Sequence, residues 1–504
     1  MTAIEKKIRE VRLTNSATHK KEILKPLVAG KISFYSCGPT VYNLIHIGNL
    51  RSGVVSDLFF RYFVSLGYDT TFVRNYTDVD DKIIRQAEVE GLTPEQVATK
   101  YTIEVERDFA LAGMLEPTHK TTVTTHMVEI IDLISQIIAR GHAYVASDGE
   151  VLFSIKSFST YGKLSRKNLD ELEAGIRVEV SEKKRDPLDF TLWKPAKKGE
   201  PSWSSPWGQG RPGWHIECSA MARKWLGDQM DIHHGGPDLI FPHHENEIAQ
   251  SEAGTGHAPF VGLWLHHAFV TLSKEKMSKS LGNVFGAREF LTRFGGELAR
   301  YFLLSVHYRS PIDFDSEALE NALTSLTRLY EAKLKAKKLL EGESTTVSSD
   351  WSEFVKLCDQ SVIEIEDHFA NDMNTPGALS VVFTLVRNFN RMVGEPLLGS
   401  PKAASGGARR FLGVLKDTLG PVMGFGLLDP EVALLNFERI RKTELVQNKS
   451  AALMSDDEIR QKIADRKAAR EAKNFAEADR IRKDLEVNRI FIKDGPAGTT
   501  WEIR

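Results

Sequence analysis

The chain has 504 residues, 27% of them charged, with 66 Lys and Arg balanced by 68 Asp and Glu. That length exceeds what one hydrophobic core supports, so three or more domains are expected, and the near-neutral balance confines any nucleic-acid surface to a local patch. Three cysteines, at 37, 218 and 358, make no disulfide framework and point to a reducing compartment, while the mixed-charge start Met1–Glu10 and the lack of any apolar run near about 18 residues argue against a secretory signal or membrane span, leaving the cytoplasm.

In chain order, Lys31–Ser36 reads as a buried strand that Cys37-Gly38-Pro39 breaks. His46-Ile47-Gly48-Asn49 then opens a helix in which Leu50, Val54, Leu58 and Tyr62 recur at helical spacing. A strand, a turn and a helix N-terminus offer unpaired amides and a positive dipole end, which suits a phosphate or nucleotide, with Gly48 allowing close backbone approach. Asp69–Arg74 is a second strand, and Asn75 to Lys82 again feeds a helix, so the alternation predicts a parallel sheet covered on both faces. Thr77 then falls near Cys37 at the carboxyl ends of the strands; the alternative is that Thr77 caps the next helix.

Residues 95–140 are helical in pattern, and 143–215 are irregular and rich in strand formers, Gly, Pro and Trp, with a basic, Pro-broken stretch from Lys183 to Lys198. Ala268–Leu272 is a probable strand leading into residues 273–283. From Asp315, which can act as an N-cap, the pattern is helical, with Leu319, Leu323, Leu326 and Tyr330 on one stripe. A polar linker at 341–349, a helix at 351–370, a helix capped by Thr375 with Pro376 in its first turn, a loop at 394–407 and a helix at 408–421 complete a bundle. From Arg439 onward there are 16 Lys/Arg and 12 Asp/Glu; charged helices end in a hairpin between Phe491 and Trp501, and mixed charge with a closing aromatic fits solvated faces or single-stranded RNA. The expected fold is α/β. A Rossmann-type parallel-sheet catalytic domain (1–110 and 211–314) carries a connective insertion at 111–210, and an α-helical bundle (315–430) and a small α+β domain (431–504) follow.

Two constellations carry chemistry. Cys37, Cys218, His243 and Glu247 combine two thiols, an imidazole and a carboxylate, a plausible zinc set assembled from distant segments, with His243 and Glu247 one helical turn apart. His244 is the rival ligand, turned about 100° from His243 on a helix. Lys276-Met277-Ser278-Lys279-Ser280 is a short loop with two ammonium groups, suited to the outgoing phosphates of ATP.

His46-Ile47-Gly48-Asn49 and Lys276 to Ser280 resemble the two signature motifs of class I aminoacyl-tRNA synthetases. Cys37 to Tyr42, Asn75 to Lys82, Gly213 to Met221, Phe241 to Glu247 and Asn371 to Pro376 resemble the cysteinyl-tRNA synthetase family in particular, and the match runs from about residue 20 to Trp501. The resemblance implies activation of L-cysteine by ATP, with Mg2+, to cysteinyl-adenylate and transfer to the 3′ end of tRNA(Cys), by a monomer without an editing activity. It implies one Zn2+ held by Cys37, Cys218, His243 and Glu247, an amino-acid pocket lined by Thr77 and Trp214, and nucleotide contacts from His46, Gly48, Asn49, Lys276 and Lys279. One departure is Asn49, where the first motif commonly has His; an amide still bonds a phosphate oxygen but serves no acid role. Two other readings fit parts of the chain: a ligase passing activated cysteine to an amino sugar, as related mycothiol-pathway ligases do, and a silent RNA-binding relative.

Overall fold

The computed structural model describes residues 9–167, 183–272, 275–276, 285–340, 351–395, 401–450, 456–472, 474–487, 490–495 and 498–503. Two compact units, Met1–Leu428 and Asp429–Arg504, divide the chain. In the first, β1 (Arg12–Asn15) and β2 (Lys20–Ile23) form a hairpin, followed by β3 (Lys31–Ser36), α1 (Ile47–Ser65), β4 (Asp69–Tyr76), α2 (Asp81–Glu90), α3 (Pro94–Leu111), β5 (His119–Thr122) and α4 (Met127–Ala139). Five antiparallel strands come next, β6 (Ala143–Val145), β7 (Val151–Phe153), β8 (Phe190–Pro195), β9 (Trp203–Ser205) and β10 (Gly208–Pro212). The chain then returns through α5 (Trp214–Leu226), β11 (Met230–Gly235), α6 (Glu245–Thr255) and β12 (Val261–His266).

The main sheet has the order β12-β11-β3-β4-β5, and its four pairings are parallel. From β3 the chain winds outward through β4 and β5, then restarts on the other side with β11 and β12. The crevice between β3 and β11, beyond their carboxyl ends, is therefore the topological switch point where such sheets bind ligands. Parallel strands buried on both faces need apolar side chains throughout, and Ile32, Phe34, Tyr35, Phe72, Val73 and Ile232 are all buried. α1 is buried almost all round, with Leu50, Val54 and Leu58 fully enclosed.

The sequence reading requires several corrections. His119–Thr122, inside the stretch assigned to the insertion, pairs with β4 and forms the edge of the main sheet. Four residues with an alternating polar sequence are too short to show strand periodicity between two helices. Thr77 does not cap α2: Asp80 does, its side chain accepting from the Lys82 amide. Asn374, not Thr375, caps the helix that follows it, accepting from Gly377 N. The helix expected from residue 408 already begins at Pro401.

Beyond β12 come β13 (Val270–Leu272), β14 (Glu275–Lys276), α7 (Ala287–Leu304), β15 (Ile312–Phe314) and the bundle helices α8 (Ser316–Leu340), α9 (Ser352–Ala370), α10 (Thr375–Gly394) and α11 (Pro401–Val414). Asp315 bonds the Ala318 amide at 2.7 Å, as an N-cap should. The linker expected at 341–349 lies outside the described residues. The second unit packs helices Pro430–Ser450, Asp456–Glu471 and Phe475–Val487 with a hairpin of Ile490–Gly495 and Gly498–Ile503. Trp501 packs against a core of Ile459, Ile481, Leu485 and Ile490, so the closing aromatic has a packing role.

One buried carboxylate ties the β1–β2 hairpin and the turn after α7 to the bundle. Asp372, between α9 and α10, accepts from Thr14 N at 2.8 Å, Thr14 Oγ1 at 2.6 Å, Tyr308 Oη at 2.7 Å and Arg309 Nη2 at 2.6 Å. These hydrogen bonds hold its carboxyl below the usual range against the opposing effect of burial. Asp372→Ala is expected to lower unfolding free energy by about 2–3 kcal/mol, because it leaves buried donors unsatisfied. Since the folded-state pKa is depressed, this stabilisation is present above the ordinary carboxyl pKa and is lost as pH falls through the folded-state value. Denaturant titration of wild type and variant across acid pH checks both points: the two curves should converge at the lowest pH.

Candidate active site

The residues at the switch point arrive on three elements. Cys37 follows β3, and its amide donates to His234 O of β11 at 3.2 Å, which fixes the thiol over the crevice. Gly38 is obligatory there, because a Cβ would sit 1.7 Å from the Asn75 carbonyl oxygen. Cys218 lies on α5, and His243 and Glu247 lie in the turn Ile240–His244 and the helix α6 that it leads into, which packs against α5. The four donor atoms of Cys37, Cys218, His243 and Glu247 are within 4.8 Å of one another, and all four residues are buried.

This set fits a tetrahedral metal ion. The two sulfurs are 3.9 Å apart, against an edge of about 3.8 Å for ligands at about 2.3 Å from zinc. Glu247 Oε1 is 3.7 Å from Cys37 Sγ and 3.0 Å from His243 Nε2. The remaining atoms of the ligands are held by neighbours: His233 Nε2 meets Glu247 Oε2 at 2.9 Å, and His215 Nδ1 meets His243 Nδ1 at 2.9 Å. Such outer contacts orient ligands and are part of a built site. A second set, Cys37, His233, His244 and Glu247, is equally compact. It holds one thiol instead of two; His244 faces Cys37 Sγ with Nε2 at 3.5 Å while its Nδ1 meets His266 Nε2 at 2.7 Å.

Protonation differs across the first set: burial, Cys218 and Glu247 push the Cys37 thiol well above its ordinary value. A hydrogen bond from Cys37 pulls the Cys218 thiol down to about 6 in spite of burial, with His243 assisting. Burial depresses the His243 imidazole, but Glu247 and Cys218 outweigh it and lift it to about 10. Burial raises the Glu247 carboxyl, yet His233 and His243 bring it down to about 2. Without a metal the quartet keeps protons on Cys37 and His243, and a bound cation would have to displace both. Burial and neighbouring imidazoles push His244 well below its ordinary value, so it stays neutral.

His46 caps α1: its Nδ1 accepts from Gly48 N at 3.1 Å and Asn49 N at 3.3 Å, and Asn49 Oδ1 accepts from His46 N at 3.2 Å. Gly48 is explained by this ring, since a Cβ would lie 2.9 Å from it. Asn49 completes a reciprocal capping box. The segment also pairs with the chain beyond the lysine loop, His46 bridging Gly286 while Ile47 N donates to Phe285 O at 3.1 Å. Lys276 ends β14 opposite Thr271; Lys279 lies outside the described residues. Thr77 is buried and its amide donates to Pro39 O at 3.3 Å, which places it beside the Cys37 turn. Trp214, 42% exposed, opens α5 with its ring 4.4 Å from that of His243. The surrounding imidazoles, His215, His233, His234, His266 and His267, and the buried Glu217 escaped the sequence reading. The pairs His233-His234 and His266-His267, ending β11 and β12, were the available signal, because strand ends at a switch point face the ligand.

Residues 23–324 match the family described as tRNA synthetases class I (C) catalytic domain, and residues 364–428 match the DALR domain. The cysteine–tRNA ligase of Geobacter metallireducens is 45% identical over 500 residues, covering 98% of this chain and 100% of the relative. That of Methylococcus capsulatus is 44% identical over 491 residues, covering 97% and 99%. Among solved structures, Mycobacterium tuberculosis methionyl-tRNA synthetase in complex with methionyl-adenylate aligns with a TM-score of 0.61 at 14% identity, covering 82% of this chain and 93% of that one, a likeness of fold.

Metal content tests the quartet. Cys218→Ser and Glu247→Gln should each abolish stoichiometric binding, and His233→Ala should weaken affinity about 10- to 100-fold in chelator competition, the usual cost of losing an orienting contact. Retention in Cys218→Ser with loss in His244→Ala would transfer the site to the second set. Affinity should fall with pH, because both thiols must lose protons to bind.

Proposed function

The chain belongs to the cysteine–tRNA ligase family of class I synthetases, and from that premise we propose that Cys37, Cys218, His243 and Glu247 hold one zinc ion that selects cysteine for activation by ATP. The reaction of the family joins cysteine to tRNA. The observation that carries the proposal is the convergence of two thiols, an imidazole and a carboxylate at the switch point of a nucleotide-binding sheet.

In this reading the carboxylate of L-cysteine attacks the α-phosphate of ATP, which enters with Mg2+, giving cysteinyl-adenylate and pyrophosphate. A ribose hydroxyl at the 3′ end of tRNA(Cys) then takes the cysteinyl group. No protein nucleophile is needed, so the residues contribute positioning and charge. Thr77 and Trp214 flank the amino acid. His46 meets the α-phosphate through Nε2, because Nδ1 is committed to the first-turn amides, and Gly48 and Asn49 shape the turn that presents it. Lys276 and Lys279 stabilise the charge developing on pyrophosphate. Asn49 supplies the cap contact and no proton.

When bound, zinc supplies a soft Lewis acid on which a thiolate binds readily while an alcohol resists deprotonation. Pocket shape alone separates near-isosteres by about 10- to 200-fold, so this chemistry takes the place of an editing domain against serine. We assign the halves of the catalytic domain to 1–122, which takes in the edge strand β5, and 211–314, the connective insertion to the residues between them, the bundle to 315–430 and anticodon recognition to 431–504, in a cytoplasmic monomer. Near-complete coverage of full-length relatives supports a tRNA acceptor over an amino sugar. Among the described residues no helix is long and apolar enough to cross a membrane.

ATP–pyrophosphate exchange tests the proposal. Exchange should require cysteine, be undetectable with serine, vanish on zinc removal and return on adding zinc. Equal exchange with serine, or full exchange by zinc-free protein, would contradict it. Lys279→Ala should slow exchange by about 100-fold or more with little change in zinc content, the scale expected for removing a charge that acts on the transition state.

A further inference from the structure

Next to the quartet lies a cavity of about 320 Å³ lined by Val79, Asp80, Asp81, Trp214, Glu217 and Arg211, among others. Glu217 is 1% exposed. It follows Trp214 by three positions on α5, so the two share one helix face, while the adjacent Cys218 turns toward Cys37. Among the described residues its single hydrogen bond comes from the Thr77 hydroxyl, which donates to Oε2 at 3.2 Å. The charged groups that weigh most on it are Cys218, Asp78 and Asp80, all acidic. Two of the cavity's three cations are committed elsewhere: Lys194 pairs with Asp81 at 3.2 Å, and Arg211 pairs with Asp81 at 2.5 Å and Glu200 at 3.4 Å. Lys184, also in the lining, makes no ion pair with Glu217 among the described residues.

A buried carboxyl facing a cavity, bonded on one oxygen and surrounded by acids, lacks the cation that normally accompanies a buried acid. The substrate brings one: in cysteine two carbon atoms separate the sulfur from the α-ammonium. We propose that Glu217 receives the α-ammonium of the incoming cysteine, with Thr77 holding the carboxylate in place. The inference rests on the cysteine-activating reading above. The pocket then checks both ends of an aminothiol, sulfur at the quartet and ammonium at Glu217, and leaves the carboxylate turned toward ATP.

Two small thiols separate this role from a structural one. Cysteamine carries the thiol and the ammonium; 3-mercaptopropionate carries the thiol without the ammonium. Calorimetric titration of zinc-loaded protein should show Glu217→Gln weakening cysteamine and cysteine about 10- to 100-fold, the loss of a charge-assisted hydrogen bond, while 3-mercaptopropionate binds as to wild type. In exchange assays KM for cysteine should rise while KM for ATP holds. Equal weakening of both thiols, or of neither, would overturn the assignment. If the Gln variant does not fold, Glu217→Asp, which keeps the charge but withdraws it by one methylene, carries the same comparison: selective weakening of cysteamine supports the role, and unchanged selectivity overturns it. Wild-type protein that gives no cysteine-dependent exchange would instead end the adenylation reading, and the binding comparison, which needs no turnover, would still decide the role of Glu217.

Discussion

A buried cluster of mutually repelling donors is the constraint on which the rest of the molecule turns. Two cysteine sulfurs and a carboxylate crowd within 4.8 Å in an enclosed site. Taking such groups out of water costs several kcal/mol apiece unless opposite charge and hydrogen bonds offset it. The fold meets that cost with imidazoles, His233 and His243 on Glu247 and His243 on Cys218, and a metal ion would complete the neutralisation. The four donors arrive on three separate segments, so they come together only when the β3–β11 pairing and the α5–α6 packing are both formed. A metal held by these donors would therefore couple its binding to folding.

The other functional segments are tied to the same frame by backbone contacts. The first signature motif and the chain beyond the second are bridged through His46 and Gly286, so the two segments share a strand-like contact. Arg51 of α1 is buried and donates to the carbonyls of Phe269 at 2.7 Å and Ser310 at 2.6 Å, flanking the same loop from within the core. Asp372 joins β1, the turn after α7 and the bundle at one carboxylate.

Much of this was legible in the residues, for identifiable reasons. The β3 strand and the α1 start stood out because apolar periodicity is sharply broken by Cys37-Gly38-Pro39, and the i, i+4 spacing of His243 and Glu247 marked them as a pair. The donor pair does meet at 3.0 Å. What eluded sequence reasoning depends on long-range packing. β5 is four residues long and gains its identity only by pairing with β4. Gly48 reads as room for close backbone approach, and only the fold shows that the His46 ring also needs that room. Asn374 and Thr375 are both good caps, and only the backbone conformation decides between them. Glu217 sits in a run of ordinary helix formers, and nothing local shows that its carboxyl is enclosed beside a cavity.

The account stands or falls on the donor set, and a cobalt-substituted protein reads it directly. Tetrahedral coordination by two thiolates should give intense visible bands and a sulfur-to-cobalt charge-transfer band. Adding cysteine should strengthen the charge-transfer band by a third thiolate's share, and serine should leave it unchanged. A spectrum with a single thiolate's intensity, preserved in Cys218→Ser and lost in His244→Ala, would place the metal in the other set of donors and contradict the account.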